Sequence, residues 1–427
     1  MIVLLVLLLL AFMLFGAPLF SIIGSIALVG FSSQDIDTAA IIAEMYRLAS
    51  QPVLLAIPLF TFAGYVLAES RTPKRLVELT QSLIGWMPGG LAIVVLAACA
   101  IFTAFTGGSG ITIVALGGLV YPVLISEKYS EDFALGLVTT SGSLGLLFPP
   151  SLPIILYGIV SEVSISQLFL AGILPGILLV VILSVYSVRQ GVSTHVQRHP
   201  FELPRVWKAV NGSAWEIPLP FLVIGGIYGG IFTATEAAAV TAFYVLVVEV
   251  FIYRDLKLFT DVPRVMKESM VLVGAILMIL ATAMGLTSFL IDQQVPQRLF
   301  ELISAVISSK LIFLVVLNIF LIIVGMMMDI FSAIIVVVPL IIPIAKQYGV
   351  DPIHLGIIFL ANLEIGYLTP PVGLNLFISS FRFEKSIGKV TLATLPFIVI
   401  LLCALLAITY IPELSLGLVH WMGAAPP

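Results

Sequence analysis

Two ten-residue stretches of this chain read as copies of one another. SGSLGLLFPP at residues 141–150 returns as NLEIGYLTPP at residues 362–371, so that Gly145 and the pair Pro149-Pro150 recur as Gly366 and the pair Pro370-Pro371 after 221 positions. Each copy lies inside an apolar run. Consecutive prolines cannot sit in an unbroken helix, because each lacks the backbone N–H and its ring collides with the carbonyl one turn back. The chain therefore carries two helices interrupted at equivalent places.

Composition says where those interruptions lie. Hydrophobic residues fill 60% of the 427 positions and charged residues 10%, against about a quarter charged in soluble domains. The chain reads as an all-α, multi-pass protein of a bacterial inner membrane. Interrupted helices at matched places in two halves mark transporters. Irregular backbone at membrane depth survives only when buried in protein or lining a wet cavity. The formal net charge of −4 is weak and says nothing about nucleic acid, which is not an expected partner. Cys99 and Cys403 both lie in apolar runs and suggest neither a disulfide framework nor a metal site. Residues 1–30 hold no charge and lack a signal peptide's basic start and cleavage site, so they read as the first span.

Basic residues set the orientation, since Lys and Arg concentrate in cytoplasmic loops. Arg189, Arg198, Arg205 and Lys208 fall in one stretch and Arg254, Lys257, Arg264 and Lys267 in another, eight of the nineteen basic residues. With both inside, the helix pair 215–232 and 236–252 turns outside, and so does the stretch with Asp35, Asp37 and Glu44. The N-terminus is then cytoplasmic and the C-terminus periplasmic. The loop after Gly64 is basic (Arg71, Lys74, Arg75), whereas the loop after its counterpart Gly285 holds Asp292, Gln293, Gln294 and Arg298. The two copies are thus expected to lie in opposite orientations, as an inverted repeat.

In the first copy a re-entrant hairpin is expected over residues 89–125 and a broken span over 133–160. In the second, the hairpin covers 311–345 and the broken span 353–381, and a last helix covers 390–411. As domains, 1–50 is an N-terminal span with an interfacial segment and 51–165 the first copy. Residues 166–268 are connecting scaffold, 269–382 the second copy, and 383–427 the C-terminal helix.

Each hairpin tip faces one break. Thr106-Gly107-Gly108-Ser109-Gly110-Ile111-Thr112 is too rich in glycine and hydroxyls for plain helix. Its oxygens, with carbonyls freed near Gly145 and Pro149-Pro150, suit a small hard cation. The matching tip, Gly325 to Asp329, faces Asn362, Gly366, Thr369 and Pro370. Asp329 is the sharpest residue, because a carboxylate mid-span costs roughly 2.5 to 3.5 kcal/mol and needs a partner or a wet cavity. A cation would serve; so would capping of the following helix. Glu364 is the other candidate intramembrane acid, facing either the site or a hydrated vestibule.

Several motifs resemble one family. They are IPLF at 57–60 with Ala63-Gly64, MPGG at 87–90, FPPS at 148–151 with LYG at 156–158, FLAGILPG at 169–176, GIFTATEA at 230–237, and GYLTPPVG at 366–373. Over nearly its whole length the chain resembles the large membrane subunit of a TRAP transporter, the tripartite ATP-independent periplasmic type.

That resemblance implies sodium-coupled uptake of a small organic acid by an elevator motion. It also implies a soluble periplasmic binding protein and a small four-helix membrane subunit, expected here as a separate chain. Sodium site 1 becomes Thr106, Gly107, Ser109, Thr112, Ser141, Gly145, Phe148 and Pro150, and sodium site 2 Met328, Asp329, Asn362, Gly366, Thr369 and Pro370. Candidate substrate contacts are Gly108, Ser143, Glu364, Asn375 and Arg382. The family usually has Ser-Gly-Ser-Ser at the first tip, so one serine hydroxyl is absent at Gly108, while Thr106 and Ser109 keep theirs.

No cofactor beyond the coupling ion is expected, and no G-x-x-x-x-G-K-S/T loop is present for ATP. His195 and His199 have metal-ligand spacing but sit in a basic loop beside Pro200. Glu236 follows Thr233-Ala234-Thr235 at a helix start, where it caps the helix or touches substrate. Residues 35–50 have the spacing of an interfacial helix and could also dock the binding protein. Two other functions compete: a stand-alone sodium-dicarboxylate symporter of similar hairpin fold, and an intramembrane enzyme, for which no cluster of His, Cys and carboxylates lies within the spans.

Overall fold

The computed structural model describes residues 9, 11–12, 17–87, 89–193 and 201–422. Most of the stretch before Ala17, together with Pro88, His195 and His199, lies outside the described residues. Regular structure among the described residues is helical throughout, and eight helices are long and apolar enough to cross a membrane. One further helix pair, bent by 44° at a short break, makes a ninth.

The first half runs α1 (Leu19–Ser33), α2 (Ala39–Ala49), α3 (Ala56–Glu69) and α4 (Thr72–Ile84). A hairpin follows, α5 (Gly90–Thr106) and α6 (Ser109–Ser126), and then a broken helix, α7 (Glu131–Ser141) and α8 (Leu152–Ser161). Helix α9 (Ile165–Ser193), α10 (Leu203–Gly212), α11 (Pro218–Tyr228) and α12 (Ala234–Ile252) connect the halves.

The second half repeats the order. Long α13 (Asp261–Asp292) leads to α14 (Val295–Ser304), the hairpin α15 (Lys310–Met327) and α16 (Ile330–Gln347), the broken helix α17 (Pro352–Gly366) and α18 (Leu374–Phe383), and then α19 (Ile387–Tyr410). Helix α20 (Glu413–Met422) closes the described chain.

Backbone marks recur at nearly the same spacing, 221 or 222 positions. Both hairpins are followed by a left-handed residue, Lys128 (φ 68) and Gly349 (φ 70), and both broken helices close on one, Glu162 (φ 56) and Glu384 (φ 54). A left-handed residue terminates a helix by turning its backbone out of the ladder. Ser130 caps α7 by accepting from Phe133 N, and Asp351 caps α17 by accepting from Ile353 N and His354 N. The Pro149-Pro150 and Pro370-Pro371 bonds are both cis.

The two halves interlock. Helix α3 packs on α12 and α1 on α13; α7 packs on α19 and α9 on α17; α8 packs on α16 and α6 on α18. Each broken helix is thereby held by elements of the opposite half.

Some expectations need correction. The first tip is shorter than its composition suggested: only Gly107 and Gly108 leave the helix, Gly107 at φ 67. Ser109 already starts α6, which widens into a π-turn over Ile113–Gly117. In the second tip Gly325 to Met327 stay helical, leaving Met328 and Asp329. The C-terminal region expected as one helix over 383–427 is divided: α19 ends at Tyr410, and α20 starts at Glu413 just after Pro412. Arg75 belongs to α4 and is largely buried among acids, so it is no free loop charge. The capping expected of Glu236 is present, in a box with Thr233 at the start of α12.

Candidate functional site

The first tip is seated on the first break by hydroxyls. Thr103, one turn before Thr106, lies 2.7 Å from the Thr112 hydroxyl and donates to the Gly142 carbonyl at 2.9 Å, so one side chain joins both hairpin arms to the end of α7. A Cβ on Gly145 would fall on the Ala100 carbonyl and 2.6 Å from Ala104 N, and one on Gly107 would meet the Leu152 side chain at 2.7 Å. Close backbone approach is what small residues at membrane helix crossings permit.

Other predicted residues of this site surround it. Thr106 donates to the Phe102 carbonyl, Ser141 to Val138 and Ser143 to Thr140, each within or beside its own helix. Pro150 is buried, and the Phe148 ring lies over Gly176 of α9. Gly108 is half-buried and extended, with Ser109 behind it.

Ser109 reaches the other half. Its hydroxyl donates to Asn375 Oδ1 at 2.7 Å, both side chains being buried, and Thr139 of α7 donates to Ser379 of α18 at 2.9 Å. The first tip therefore touches both broken helices, which brings Ser109, assigned to sodium, next to Asn375, assigned to substrate.

The second tip is stitched to the second break by backbone. Ile330 N donates to the Tyr367 hydroxyl, and Gly373 N to the Met326 carbonyl at 3.1 Å. Helices α15 and α17 cross at Gly325 and Gly366, where a Cβ on Gly366 would lie 2.6 Å from Gly325 backbone atoms. Asp329 caps α16: its Oδ1 accepts from Phe331 N and Ser332 N, and its Oδ2 from the Ser332 hydroxyl. It is exposed, not enclosed. Met328 is half-buried beside it, and Thr369 bonds back to the Ile365 carbonyl.

Asn362 turns away from the tip. Its amide donates to Asn318 Oδ1 at 2.7 Å and to the Ile358 carbonyl, and Asn318 in turn meets Thr409 of α19. Arg382 leaves the second break altogether: its Nε donates to the Val114 carbonyl in the π-turn of α6 at 3.1 Å, which places it beside the first hairpin. Arg382 lies nine positions beyond Gly373 along a regular helix, so its side chain is carried well away from the proline pair. Glu364 is buried, with its Oε1 lacking a hydrogen-bond partner.

The two breaks differ in exposure. Residues 142–151 are buried apart from Phe148, whereas Pro370, Pro371 and Val372 are exposed next to exposed Met327 and Asp329. Unpartnered buried polar atoms also concentrate here. Of the nine such side-chain atoms among the described residues, six belong to the broken helices and their break: Thr140, Ser151, His354, Asn362, Glu364 and Asn375.

Sequence reasoning missed Thr103, Tyr367, Asn318 and Thr409. Thr103 and Asn318 had a usable signal, as polar residues inside strongly apolar helices. Tyr367 and Thr409 had none, because a hydroxyl bonded to its own or a distant backbone is common in helices.

The family model of the tripartite ATP-independent periplasmic transporter, DctM component, matches residues 3–414. The chain belongs to this family. It is 38% identical over 405 residues to the C4-dicarboxylate TRAP transporter large permease protein DctM of Pseudomonas aeruginosa, covering 94% of this chain and 93% of that one. It is 35% identical to the isethionate TRAP transporter permease protein DctMQ of Oleidesulfovibrio alaskensis over 95% of this chain but 64% of that protein. Among solved structures, the YdaH transporter of Alcanivorax borkumensis shares the fold, with a TM-score of 0.62 and 14% identity over 90% of this chain and 87% of that chain.

Proposed function

We propose that this DctM-family chain is the large permease subunit of a sodium-coupled importer in a bacterial inner membrane, taking up a small organic acid of the dicarboxylate, sugar-acid or keto-acid class. A periplasmic binding protein delivers the substrate and a small four-helix subunit braces the permease. The DctMQ relative extends well beyond the region matched here. The halves lie inverted, with the N-terminus cytoplasmic and the C-terminus periplasmic. The two hairpins and broken helices move together, elevator-fashion, against α1–α4, α9–α14 and α19.

One observation carries this reading: six of nine unpartnered buried polar atoms lie along two broken helices that two hairpin tips clasp. Polar atoms left without a partner at such depth are costly unless a ligand meets them. The paired hydroxyls of Thr103 and Thr112 at the first break, with Thr106 and Ser109 on the same hairpin tip, are the oxygen chemistry a hard alkali cation takes. Each net positive charge carried inward gains about 2.3 kcal/mol per 100 mV, roughly a fiftyfold concentration ratio.

The test is uptake by the purified complex in proteoliposomes, with and without sodium and binding protein. Uptake is expected only with both. Ser109→Ala removes a hydroxyl at the first site, and Asp329→Asn removes charge at the second while keeping a good helix cap. Each is expected to raise the sodium concentration giving half-maximal uptake several-fold without changing the folded yield. Full-rate transport by the chain alone, or identical sodium activation in both variants, rejects the assignment.

Exposure of Pro370-Pro371 fits an open, water-filled side of the cycle and burial of Pro149-Pro150 a sealed one. In a background without Cys99 and Cys403, Val372→Cys is expected to react with a membrane-impermeant maleimide and Ser151→Cys to resist it. Equal protection of both positions places the second break against lipid and defeats this reading.

A further inference from the structure

Away from the breaks, Arg75 projects from α4 into a knot of acids from two other segments. Its Nε donates to Glu216 Oε1, one terminal nitrogen to Asp255 Oδ2 at 2.7 Å and the other to Glu249 Oε2 at 2.9 Å, while its guanidinium lies 3.9 Å from the Tyr253 ring centroid. All three acids are nearly inaccessible, their side chains 2%, 6% and 0% exposed. One guanidinium therefore faces three carboxyls.

The neighbouring charges redress this only at Asp255 and leave Glu216 and Glu249 to share Arg75. Arg71 comes within 3.8 Å of Asp255 Oδ1 from an exposed position, and Lys74 pairs outward with Glu78. Tyr244 and Tyr253 bond to the Trp215 backbone, Arg254 and Lys257 are exposed, and on α3 Glu69 pairs with Arg264. On α10, Arg205 reaches Gln81.

Two further observations bear on the imbalance. Glu216 Oε2 is buried without a partner, and Glu216 and Thr72 are the only polar residues lining an otherwise apolar cleft of about 330 Å³ between α4, α5 and α11. Solvent relief is absent on that side. The hydrogen count is also short: the Thr72 hydroxyl lies 2.9 Å from Glu216 Oε1 and 3.1 Å from Glu249 Oε1. A hydroxyl has one hydrogen to donate. The second of those contacts sets lone pair against lone pair unless a carboxyl supplies the hydrogen.

We propose that Glu216 and Glu249 hold one proton between them through the Thr72 hydroxyl, and that this proton keeps α4 clamped to α11 and α12. Two carboxyls sharing a site cannot both ionise readily. Burial pushes the Glu216 carboxyl up, against the opposing pull of Arg75. A proton held more tightly in the fold than in the unfolded chain, where carboxyls titrate near about 4.3, stabilises fully below that value. The stabilisation is lost as pH rises through the folded-state value.

The experiment uses the purified complex, with infrared spectra and melting temperature followed from about pH 5 to about pH 9. The wild type is expected to show a protonated-carboxyl band and a melting temperature that falls across this range. Glu216→Gln and Glu249→Gln each lose the cluster's share of that band and flatten the fall, because the amide replaces the protonated acid. A band and slope unchanged in both variants overturn the proposal. Where a Gln variant yields no folded protein, Thr72→Val decides: loss of the band supports the shared proton and its retention rejects it. These readouts involve no transport, so they stand apart from the uptake tests.

Discussion

Gly366→Leu and Gly145→Leu are each expected to abolish uptake and to remove most of the correctly folded protein. At Gly366 a Cβ has no room, because the obstacle is Gly325 backbone at 2.6 Å and not a side chain that can swing away. At Gly145 the obstacles are the Ala100 carbonyl and Ala104 N. Overpacking a well-packed interior costs roughly 1 to 3 kcal/mol even where neighbours relax. Here relaxation means pulling a hairpin arm off its broken helix, which separates the groups that form the site. Gly274→Leu is the control, since nothing lies within 4 Å of a Cβ there. Folded yield by size-exclusion profile and uptake by proteoliposomes are the measurements. Normal yield and uptake in Gly366→Leu mean that the close crossing is not needed.

Arg75→Ala is expected to be the most destabilising single truncation outside the breaks. It leaves Glu216, Glu249 and Asp255 without their shared cation, and removing one partner of a buried ion pair costs about 3 to 5 kcal/mol. Lysine should rescue only partly, because one ammonium cannot present the planar set of donors that reaches three acids at once. Adding Glu249→Gln to Arg75→Ala should recover part of the loss, the non-additivity expected of side chains in one network. Melting temperature reports all three variants. An unaltered melt for Arg75→Ala takes the cluster out of the stability account.

The proline pairs, the glycine before each and the spacing between copies were legible in sequence because each is a local backbone constraint that survives any tertiary arrangement. The hairpins were legible for a similar reason: apolar runs of span length interrupted by Gly107-Gly108 or by Met328-Asp329 have few other solutions. Their tips were misjudged by a few residues, since glycine and hydroxyls permit a helix break without requiring one, and packing let Ser109 begin a helix at once. Asp329 was readable as cap, cation ligand or both, and its carboxylate caps α16 in the fold.

Pairings between separate helices were not legible. Ser109 with Asn375, Thr139 with Ser379, and Asn318 with Asn362 and Thr409 join residues far apart in the chain, and nothing local distinguishes them from other polar residues in helices. Arg382 looked like a neighbour of the second break because sequence distance was the only guide. The carbonyls of the α6 π-turn draw it elsewhere.

The sequence alone determined a membrane-embedded helical chain with two equivalent interruptions, because hydropathy and proline stereochemistry act residue by residue. Tertiary packing alone decided which tip touches which break, which break is buried and which exposed, and that one arginine gathers three acids. Those outcomes depend on how two halves interlock, and interlocking is a property of distances that no local pattern encodes.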